Sequence, residues 1–295
     1  MHICIQLLFM ATYLVADSGS TKTDWCLLRD GSKPVYYSTK GINPYLQNGA
    51  SIAELLNDEI SWAGKKHIPD VISYYGAGAS SIDKQKLLAS ILKQHFGASK
   101  VSVQSDLMAA ARALCGDQKG MVCILGTGSS SCYYDGKNIK IQQPSLGYLA
   151  GDEGSGNYMG RRILQYYAYN TFDAELKTGF EMRYGKDINA ILSKLYSDPY
   201  PNRYLASFAP MLVDMRGHYM AENIIEDCIN DFFRNSILKY RQSWKRPLYF
   251  TGSIAFAFKD VISNLCDQYE LELGKIEKSP MEGLVKYYKN EIKNL

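Results

Sequence analysis

The sequence lacks the cysteine and histidine spacings that bind metals or form disulfide scaffolds. Seven cysteines occur among 295 residues, and no two of them form a Cys-x-x-Cys pair. Only four histidines are present, and none has the spacing of a metal ligand. Zinc fingers, thioredoxin-type redox chemistry and disulfide frameworks all need such spacings. Several cysteines stand in apolar strand-like runs, which indicates buried, reduced thiols and a cytoplasmic protein.

Long apolar runs and a large charge of one sign are also missing. No stretch reaches the ~18 apolar residues that a membrane-spanning helix needs. The net charge is only +3, so neither nucleic acid nor a membrane surface is expected as a partner. Residues 1–16 are apolar but contain no Lys or Arg, which disfavours an export signal. The first ten residues are expected to form a loose extension.

The sequence has no Gly-x-x-x-x-Gly-Lys-Ser/Thr motif, so a Walker A phosphate loop finds no support. Hydrophobic residues nevertheless make up 46% of the chain, which is enough material for sizeable cores. Since domains typically run to ~100–200 residues, the length predicts two domains with a cleft between them.

The stretch from residue 14 to residue 28 is the part around which the chain is organised. An apolar strand ends at Asp17, a polar turn follows with Gly19, Ser20, Thr21 and Lys22, and a second apolar strand begins. Oriented backbone amides and a lysine suit a phosphate group. The Asp17 carboxylate suits a hydrated Mg²⁺. An ordinary hairpin turn explains the local sequence about equally well.

The same pattern returns in the second half of the chain. Residues 121–125 form an apolar strand, residues 126–131 are glycine and hydroxyl residues, and residues 132–134 begin a second strand. Two such units ~110 residues apart indicate a duplicated domain, which is more specific than either turn alone. Two turns of this kind could hold the phosphates of one nucleotide from both sides.

Between the two units, the pattern predicts strands and helices in alternation. A strand over residues 33–40 leads to Asn43 before a proline, which is typical of a turn. The Asn43 amide could also recognise a ligand hydroxyl. Ser51 and Glu54 predict a capping box at the start of a helix. Three strands followed by helix, strand, helix and strand favour a mixed sheet covered by helices.

Asp106 stands after the strand predicted at residues 101–103 and begins an alanine-rich helix. Aspartate is favoured at helix N-termini, so capping alone could explain it. A general base is the alternative, because ligands of open α/β sheets bind outside the strand ends.

The loop at residues 145–156 contains four glycines and the adjacent acids Asp152 and Glu153. Solvated loop acids would explain these residues without a function. Carboxylates here could also accept hydrogen bonds from sugar hydroxyls, since loops often carry function. Ser155 is expected to cap a helix that runs to about residue 167.

The remaining chain is predicted to be helical apart from one strand. Residues 172–241 are mostly helical, and Asp214 and His218 are expected to form a surface pair. A strand at residues 247–250 precedes a third turn with Gly252 and Ser253. This turn suits adenosine or phosphate contacts, or it simply joins a strand to a helix.

Taken together, Ala-Asp-Ser-Gly-Ser-Thr-Lys-Thr, Leu-Gly-Thr-Gly-Ser and Gly-Asp-Glu-Gly-Ser resemble the motifs of the actin-like ATPase superfamily. More specifically, the chain resembles the N-acetylglucosamine kinase and BadF/BadG/BcrA/BcrD-type ATPase family from about Tyr13 onwards. The resemblance implies an α/β fold with two ribonuclease-H-like domains, each with a mixed central sheet, and an interdomain nucleotide and sugar cleft. The expected domains are residues 1–115 and 116–280, with a helical insertion at about 172–241. The helix at 281–295 is expected to pack back on the first domain.

The resemblance also implies the roles of individual residues. Asp106 resembles the catalytic base, and Asp17 resembles the residue that positions Mg²⁺, through water. The implied ATP-binding positions are Gly19, Ser20, Thr21, Lys22, Gly126, Thr127, Gly128, Gly252 and Ser253. The implied sugar-binding positions are Asn43, Ser129, Gly147 and Asp152.

The function implied by the resemblance is ATP-dependent phosphorylation of an amino sugar at its 6-hydroxyl, by a homodimer with ATP and Mg²⁺. N-acetylglucosamine or glucosamine is the expected substrate. Two loops depart from the animal N-acetylglucosamine kinases, with Ile-Asn-Pro-Tyr and Ser-Leu-Gly-Tyr in place of the usual sequences. Glucosamine or another amino sugar is therefore an alternative to the N-acetylated sugar.

Two other functions remain open from the sequence. The first is a dehydratase-activating ATPase of the same family, which holds an iron–sulfur cluster between paired cysteines of a dimer. No obvious pair of that kind exists here. The second is a nucleotide-gated sugar sensor without turnover, since fold alone does not determine function.

Overall fold

The computed structural model describes residues 11–60 and 68–293. Contacts divide the chain into two compact units, Met1–Ala109 with Met281–Leu295, and Ala110–Pro280. This division falls inside the helix Asp106–Cys115. The sequence predicted the domain boundary after residue 115, at the C-terminal end of the same helix. The export signal considered for the first residues lies mainly outside the described residues.

The strands and helices of the described ranges are numbered in chain order. The strands are β1 Tyr13–Ser18, β2 Lys22–Leu28, β3 Val35–Lys40, β4 Val71–Gly76, β5 Lys100–Ser105, β6 Gly120–Leu125, β7 Ser129–Tyr134, β8 Ile139–Gln142, β9 Leu248–Thr251 and β10 Leu273–Glu277. The helices are α1 Gly49–Glu59, α2 Ile82–Phe96, α3 Asp106–Cys115, α4 Gly147–Ala150, α5 Gly156–Ala168, α6 Ala174–Tyr184, α7 Ile188–Ser197, α8 Pro201–Ala206, α9 Pro210–Asp214, α10 Tyr219–Asn235, α11 Ser253–Ala257, α12 Lys259–Gln268 and α13 Met281–Lys293.

The first unit is built on a five-stranded mixed sheet in the order β3-β2-β1-β4-β5. Strands β1, β2 and β3 form an antiparallel meander. Strands β4 and β5 run parallel to β1 on its other side. Because β1, β4 and β5 are parallel, their carboxyl ends lie at one edge of the sheet.

Strand β1 is central in this sheet and is buried on both faces. Leu14 and Ala16 belong to the hydrophobic core that also contains Trp25 and residues of α1 and α2. Tyr13 packs on the other side against Tyr288 of α13. The apolar run in β1 thus follows from burial on both faces, which is typical of strands in the centre of an α/β sheet.

The second unit repeats the same topology. Its sheet has the order β10-β9-β6-β7-β8, with β6, β7 and β8 antiparallel and with β9 and β10 parallel to β6. Each sheet therefore consists of a three-stranded antiparallel meander, with two further strands parallel to its first strand on the other side of that strand. This confirms the duplicated domain that the recurring strand–turn–strand pattern predicted.

The helices α6 to α10 form the helical segment predicted between the two parts of the second sheet. Aromatic side chains of this segment join one large core, in which the rings of Phe180 and of Phe208, which lies between α8 and α9, stack with centroids 6.0 Å apart. Helices α5 and α8 cross closely at Gly160, where a Cβ would lie 1.8 Å from the Leu205 carbonyl oxygen. Glycine at this position is therefore required by the packing of two helices.

Two local predictions were wrong. Helix α1 begins two residues earlier than predicted, and its cap is Asn48, whose side chain accepts a hydrogen bond from the Ser51 N–H. His218 does not pair with Asp214, because its Nε2 lies 2.9 Å from Asp173. Asp214 instead pairs with Arg183. Both errors arose because a cap or an ion pair was assigned from sequence neighbours alone.

Within residues 11–60 and 68–293, no helix is long and apolar enough to cross a membrane. The six cysteines in these ranges are buried and form no disulfide with one another. Burial raises the pKa of the Cys26 thiol to about 11 and that of Cys115 to about 12. These thiols therefore remain protonated at neutral pH.

Candidate active site

In the first unit, the turn between β1 and β2 is held by backbone hydrogen bonds. The Gly19 N–H donates to the Lys22 carbonyl at 2.9 Å, and the Gly41 N–H donates to the Thr21 carbonyl at 3.0 Å. A Cβ at Gly41 would lie 2.4 Å from the Gly19 carbonyl oxygen. The predicted phosphate turn is therefore packed directly against the backbone that follows β3.

Two hydroxyls fix the base of this turn from inside the unit. Ser18 and Thr23 are buried and their hydroxyl oxygens lie 2.6 Å apart. The Ser18 hydroxyl also accepts a hydrogen bond from the Ile42 N–H at 3.1 Å. The exposed part of the turn, Gly19 with Thr21 and Lys22, is thus carried on a rigid base.

Asp17 and Asp106 lie at the same edge of the first sheet. Asp17 is near the carboxyl end of β1, and Asp106 follows β5 directly as the first residue of α3. The intervening strand β4 ends at Gly76, which pairs with Ser18 on one side and with Ser105 on the other. The sequence predicted each carboxylate at the end of its own strand, and the topology brings the two to one edge of the sheet.

The electrostatics of this edge favour the protonated carboxyl groups. Burial and then the Asp106 and Asp24 charges raise the pKa of Asp17 to about 7, and Lys22 opposes the effect. Burial also raises the pKa of Asp106, although the Leu107 N–H donates to its Oδ1 at 2.9 Å. Two neighbouring carboxyl groups that are partly shielded from water can both ionise only when positive charge is added nearby.

A divalent cation fits this need. Lys22 offers little compensation, since its Nζ lies 2.8 Å from Asp24 Oδ1. No cluster of three or more His, Cys, Asp or Glu side chains that could hold a metal occurs among the described residues. Mg²⁺ does not require such a cluster, because it keeps several waters and is commonly held by one or two carboxylates plus substrate phosphates. Asp17, with the Asp106 carboxylate at the same edge of the sheet, therefore suits a hydrated Mg²⁺.

Asn43 lies in the predicted turn after β3. Its Oδ1 accepts a hydrogen bond from the Tyr45 N–H at 3.0 Å, and its own N–H donates to Gln47 Oε1 at 2.7 Å. A Cβ on Gly78 would lie 2.6 Å from Asn43 Oδ1. Lys84 secures the same loop by donating to the Pro44 carbonyl at 2.7 Å. The Asn43 side chain is therefore held beside the small residues that follow β4.

In the second unit, the turn at residues 126–128 follows β6 and is joined to the start of α5. The Gly126 N–H donates to the Gly128 carbonyl at 3.0 Å. The Gly156 N–H donates to the Gly126 carbonyl at 2.8 Å, and the Asn157 N–H donates to the Thr127 carbonyl at 3.0 Å. The N-terminus of α5, which Ser155 caps as predicted, is thus attached to this turn.

Gly252 lies against the same turn. Its φ is +118°, and a Cβ there would lie 2.2 Å from the Leu125 carbonyl oxygen and 3.2 Å from the Gly126 nitrogen. Ser253 is exposed and begins α11. The structure therefore brings the second and third glycine-hydroxyl turns together at the carboxyl ends of β6 and β9, which are parallel neighbours.

Asp152 also lies close to the turn at residues 126–128, since a Cβ on Gly128 would lie 3.0 Å from its Oδ2. Its φ of +58° is unusual for a non-glycine residue. Its Oδ1 accepts from the Ser129 N–H at 3.3 Å, and its Oδ2 accepts from Asn157 Nδ2 at 2.7 Å. Burial raises the pKa of Asp152 despite these hydrogen bonds. Asp152 and Ser129, two predicted sugar-binding positions, are therefore in contact.

Gly147 is the remaining predicted sugar-binding position. It begins the short helix α4 with φ of +67°, and its carbonyl accepts from the Gly151 N–H at 2.8 Å. Arg161 holds this helix by donating to the Tyr148 and Leu149 carbonyls at 2.9 and 3.1 Å. Gly147 and Asp152 thus belong to one ordered loop.

Sequence reasoning missed Asn157, which contacts both the turn at residues 126–128 and Asp152. Its Nδ2 donates to the Thr127 carbonyl and to Asp152 Oδ2, each at 2.7 Å. The one feature of the sequence that could have indicated Asn157 is its position, two residues after the predicted helix cap Ser155. Nothing in the sequence by itself indicates that this side chain points inward.

Comparison with known proteins places the chain in a family. Residues 16–284 match the model of the BadF/BadG/BcrA/BcrD ATPase family. The chain belongs to this family. The match spans both units and includes all the predicted site residues. No curated protein matched the sequence.

Solved structures of related proteins have the same fold. A Porphyromonas gingivalis protein to which N-acetylglucosamine kinase activity has been attributed is 36% identical, with a TM-score of 0.89 over 94% of this chain and 99% of that chain. A Chromobacterium violaceum protein with the same attribution is 18% identical, with a TM-score of 0.73 over 94% and 99% of the two chains.

A third solved structure is more distant in sequence, and only its fold is compared with that of this chain. A ROK family glucokinase from Streptomyces griseus, solved with glucose and AMPPNP, is 13% identical, with a TM-score of 0.59 over 94% and 98% of the two chains. The family of ATPases and these structures together show that this chain has the actin-like ATPase fold.

Proposed function

We propose that the protein is an ATP-dependent sugar kinase that phosphorylates an amino sugar, N-acetylglucosamine or glucosamine, at its 6-hydroxyl. One observation carries the proposal. Asp106 lies half-buried at the sheet edge that also holds Asp17 and the turn at residues 19–22, in a chain 36% identical to a protein with attributed N-acetylglucosamine kinase activity. A carboxylate beside a phosphate turn suits a hydroxyl as the phosphoryl acceptor.

Asp106 would act as the general base. Its carboxylate would orient the sugar hydroxyl and accept the hydroxyl proton as oxygen attacks the γ-phosphorus of ATP. The bond from the γ-phosphorus to the bridging oxygen of ADP breaks as the new bond forms. Because phosphoryl transfer depends chiefly on positioning and electrostatics, the orientation of this one hydroxyl would matter most.

Three turns would hold ATP. Residues 19–22 and 126–128 would contact its phosphates through backbone N–H groups, hydroxyls and the Lys22 ammonium. Gly252 and Ser253 would contact the adenosine. Asp17 would hold Mg²⁺ through water, and the bound ion would neutralise charge on the β- and γ-phosphates.

Four residues would bind the sugar. Asn43 and Asp152 have the side chains for this role, since an amide and a carboxylate can each bond a sugar hydroxyl. Ser129 and Gly147 would contribute backbone or hydroxyl groups. The contact between Ser129 and Asp152 supports a shared role.

The first experiment is ADP release with Mg-ATP against N-acetylglucosamine, glucosamine, N-acetylmannosamine, glucose and no sugar. We expect strong stimulation by one hexosamine, and mass spectrometry of its phosphorylated product before and after borohydride and periodate treatment would locate the phosphate. Equal background hydrolysis with every sugar would contradict the proposal and favour an activating ATPase. Sugar binding without any turnover would favour the sensor.

The structure weakens the activating-ATPase alternative. An iron–sulfur cluster shared between two copies needs cysteines at a surface, whereas the six cysteines of the described ranges are buried. A colourless purified protein without iron is the expected result.

We also propose that the protein is a homodimer, since two-fold dimers are the commonest oligomers. Light scattering on the eluting protein should give twice the chain mass of 33.2 kDa. A single-chain mass at micromolar concentration would contradict this.

A further inference from the structure

We propose that Asn157 is a positioning residue that couples the nucleotide turn at residues 126–128 to Asp152. The inference rests on the proposed function, in which this turn binds ATP phosphates and Asp152 binds the sugar. Asn157 touches neither ligand by this account. It acts by setting the relative position of the two groups that do.

The contacts of Asn157 are the evidence. Its backbone N–H and its Nδ2 both donate to the Thr127 carbonyl, at 3.0 and 2.7 Å. The second hydrogen of Nδ2 is directed to Asp152 Oδ2 at 2.7 Å. Asn157 is only 1% exposed, so water does not compete for these bonds. One amide nitrogen therefore links the turn to the carboxylate.

The chemistry of the two acceptors requires an amide at this position. Both partners, a carbonyl oxygen and a carboxylate oxygen, only accept hydrogen bonds, and the amide NH₂ group supplies two donors. An aspartate of the same shape would place a third acceptor against them. An alanine would remove the side-chain bond to the Thr127 carbonyl and the bond to Asp152 Oδ2.

The geometry of Asp152 shows why it needs a fixed partner. Its backbone has φ of +58°, a conformation that persists only where surrounding contacts hold it. Its carboxylate is also so close to the turn that a Cβ on Gly128 would lie 3.0 Å from Oδ2. A movement of Asp152 would therefore displace the turn, and a movement of the turn would displace Asp152.

Asn157 also favours the ionised form of Asp152. Burial raises the pKa of Asp152, whereas the hydrogen bond from Asn157 lowers it. The hydrogen bond from the Ser129 N–H and the charge of Arg161 lower it as well. Loss of the amide should therefore move the protonation of Asp152 to higher pH.

The test is Asn157→Ala in the full-length protein. We expect kcat/KM for the sugar to fall by about tenfold or more, because a buried hydrogen bond to a charged group is lost. The acid limb of the kcat/KM profile should move upward by a measurable fraction of a pH unit. The affinity for Mg-AMPPNP, measured by calorimetry without sugar, should fall by about threefold or more.

Two further variants separate positioning from general stability. Asn157→Asp keeps the shape of the side chain, and we expect a larger loss of kcat/KM than in Asn157→Ala because a second carboxylate would face Asp152. Ser243→Ala is the matched control. Ser243 is equally buried in the same unit, and its hydroxyl donates to the Ile237 carbonyl at 2.7 Å. This control should lower thermal stability without changing the pH profile or nucleotide affinity.

The outcomes distinguish this inference from the proposed function. If Asn157→Ala and Asn157→Asp both retain the wild-type pH profile and Mg-AMPPNP affinity, the inference is wrong. If the wild-type protein phosphorylates no sugar, the proposed function fails, and the nucleotide affinity still tests the link between Asn157 and the turn. If Ser243→Ala reproduces every change, Asn157 has only a structural role and the inference is overturned.

Discussion

Asp106 is the residue on which the proposed chemistry depends most directly. Replacing it with asparagine keeps the shape of the side chain and removes its capacity to accept a proton. We expect kcat of Asp106→Asn to fall by at least ~10², with a smaller change in the KM for ATP. Steady-state kinetics with the best sugar of the panel would measure both values.

Asp30 offers a matched control for this substitution. It stands in an exposed turn of the same unit, where its carboxylate accepts from the Gly31 N–H at 3.0 Å. Asp30→Asn should therefore leave kcat unchanged. Near-normal turnover in Asp106→Asn would remove Asp106 from the mechanism.

Asp17 links the candidate site to the pH dependence of stability. Its pKa rises from 3.8 to about 7 in the folded protein. Folding is therefore favoured by protonated Asp17 below about pH 4, and this contribution is lost as the pH rises through 7. The ionised carboxylate beside Asp106 and Asp24 is a cost that Asp17→Asn removes.

We expect Asp17→Asn to unfold at a higher temperature than the wild type at pH 8 in EDTA, by at least ~2 °C. The difference should shrink towards pH 4, where both proteins carry an uncharged side chain. Thermal scans at several pH values would measure it. A wild-type protein that is more stable than the variant at pH 8 would contradict the assigned pKa direction.

Glycine turns determine the geometry of the candidate site at the level of elements. We expect Gly252→Ala to cost ~2 kcal/mol or more of stability, because its φ is +118° and the added Cβ would meet the Leu125 carbonyl oxygen. The affinity for Mg-AMPPNP should also fall, since Gly126 lies next to that carbonyl. Denaturant unfolding and calorimetry would measure the two effects.

The variant Gly217→Ala separates the effect of a positive φ from the effect of a clash of the added Cβ. Gly217 also has a positive φ, +88°, but no atom lies within 4 Å of its Cβ position. This variant should therefore show only the backbone strain, with a smaller loss of stability and unchanged nucleotide affinity. Equal losses in the two variants would show that the close approach at Gly252 does not matter.

At the element scale, hydrophobic patterns located most strands and helices, but local contacts between them were less predictable. The apolar runs before Asp17 and Gly126 indicated β1 and β6 because both strands are buried. The start of α1 was placed at Ser51, whereas Asn48 is the cap. Several polar residues near a helix start can each act as the cap, and only the backbone conformation decides between them.

The whole molecule consists of two units of one topology, and this is where the sequence was most informative. A duplicated fold repeats its pattern of strand, turn and strand. The similarity of the two turns therefore supported the prediction of each one. Helix α13 belongs to the first unit. This was expected only from the family resemblance. A terminal helix with one apolar face could pack on either unit, and packing alone decides which.

The cysteines give a prediction for the whole molecule. Burial raises the pKa of Cys228 and Cys266 to about 12, and it also raises the pKa of Cys26, Cys115 and Cys123. The reactive thiolate of these residues is therefore scarce and inaccessible. We expect the six cysteines of the described ranges to resist a maleimide at pH 7 in the native protein and to react fully after denaturation. Peptide mass spectrometry would identify the labelled positions.

Native labelling of any of these six positions would show that burial does not hold in solution. It would also reopen the iron–sulfur alternative, which needs accessible cysteines. A denatured sample labelled at all six positions serves as the control for reagent activity.

The two-domain α/β class, the three glycine-hydroxyl turns and the place of Asp106 at the end of a strand could be predicted from the sequence alone. These features follow from local patterns of burial and backbone freedom, which neighbouring residues specify. Only the tertiary structure placed Asp17 beside Asp106, Gly252 against Leu125 and Asn157 between Thr127 and Asp152. Each of these contacts joins segments that strand order or helix packing brings together. The local sequence pattern does not specify which distant residue a side chain will contact.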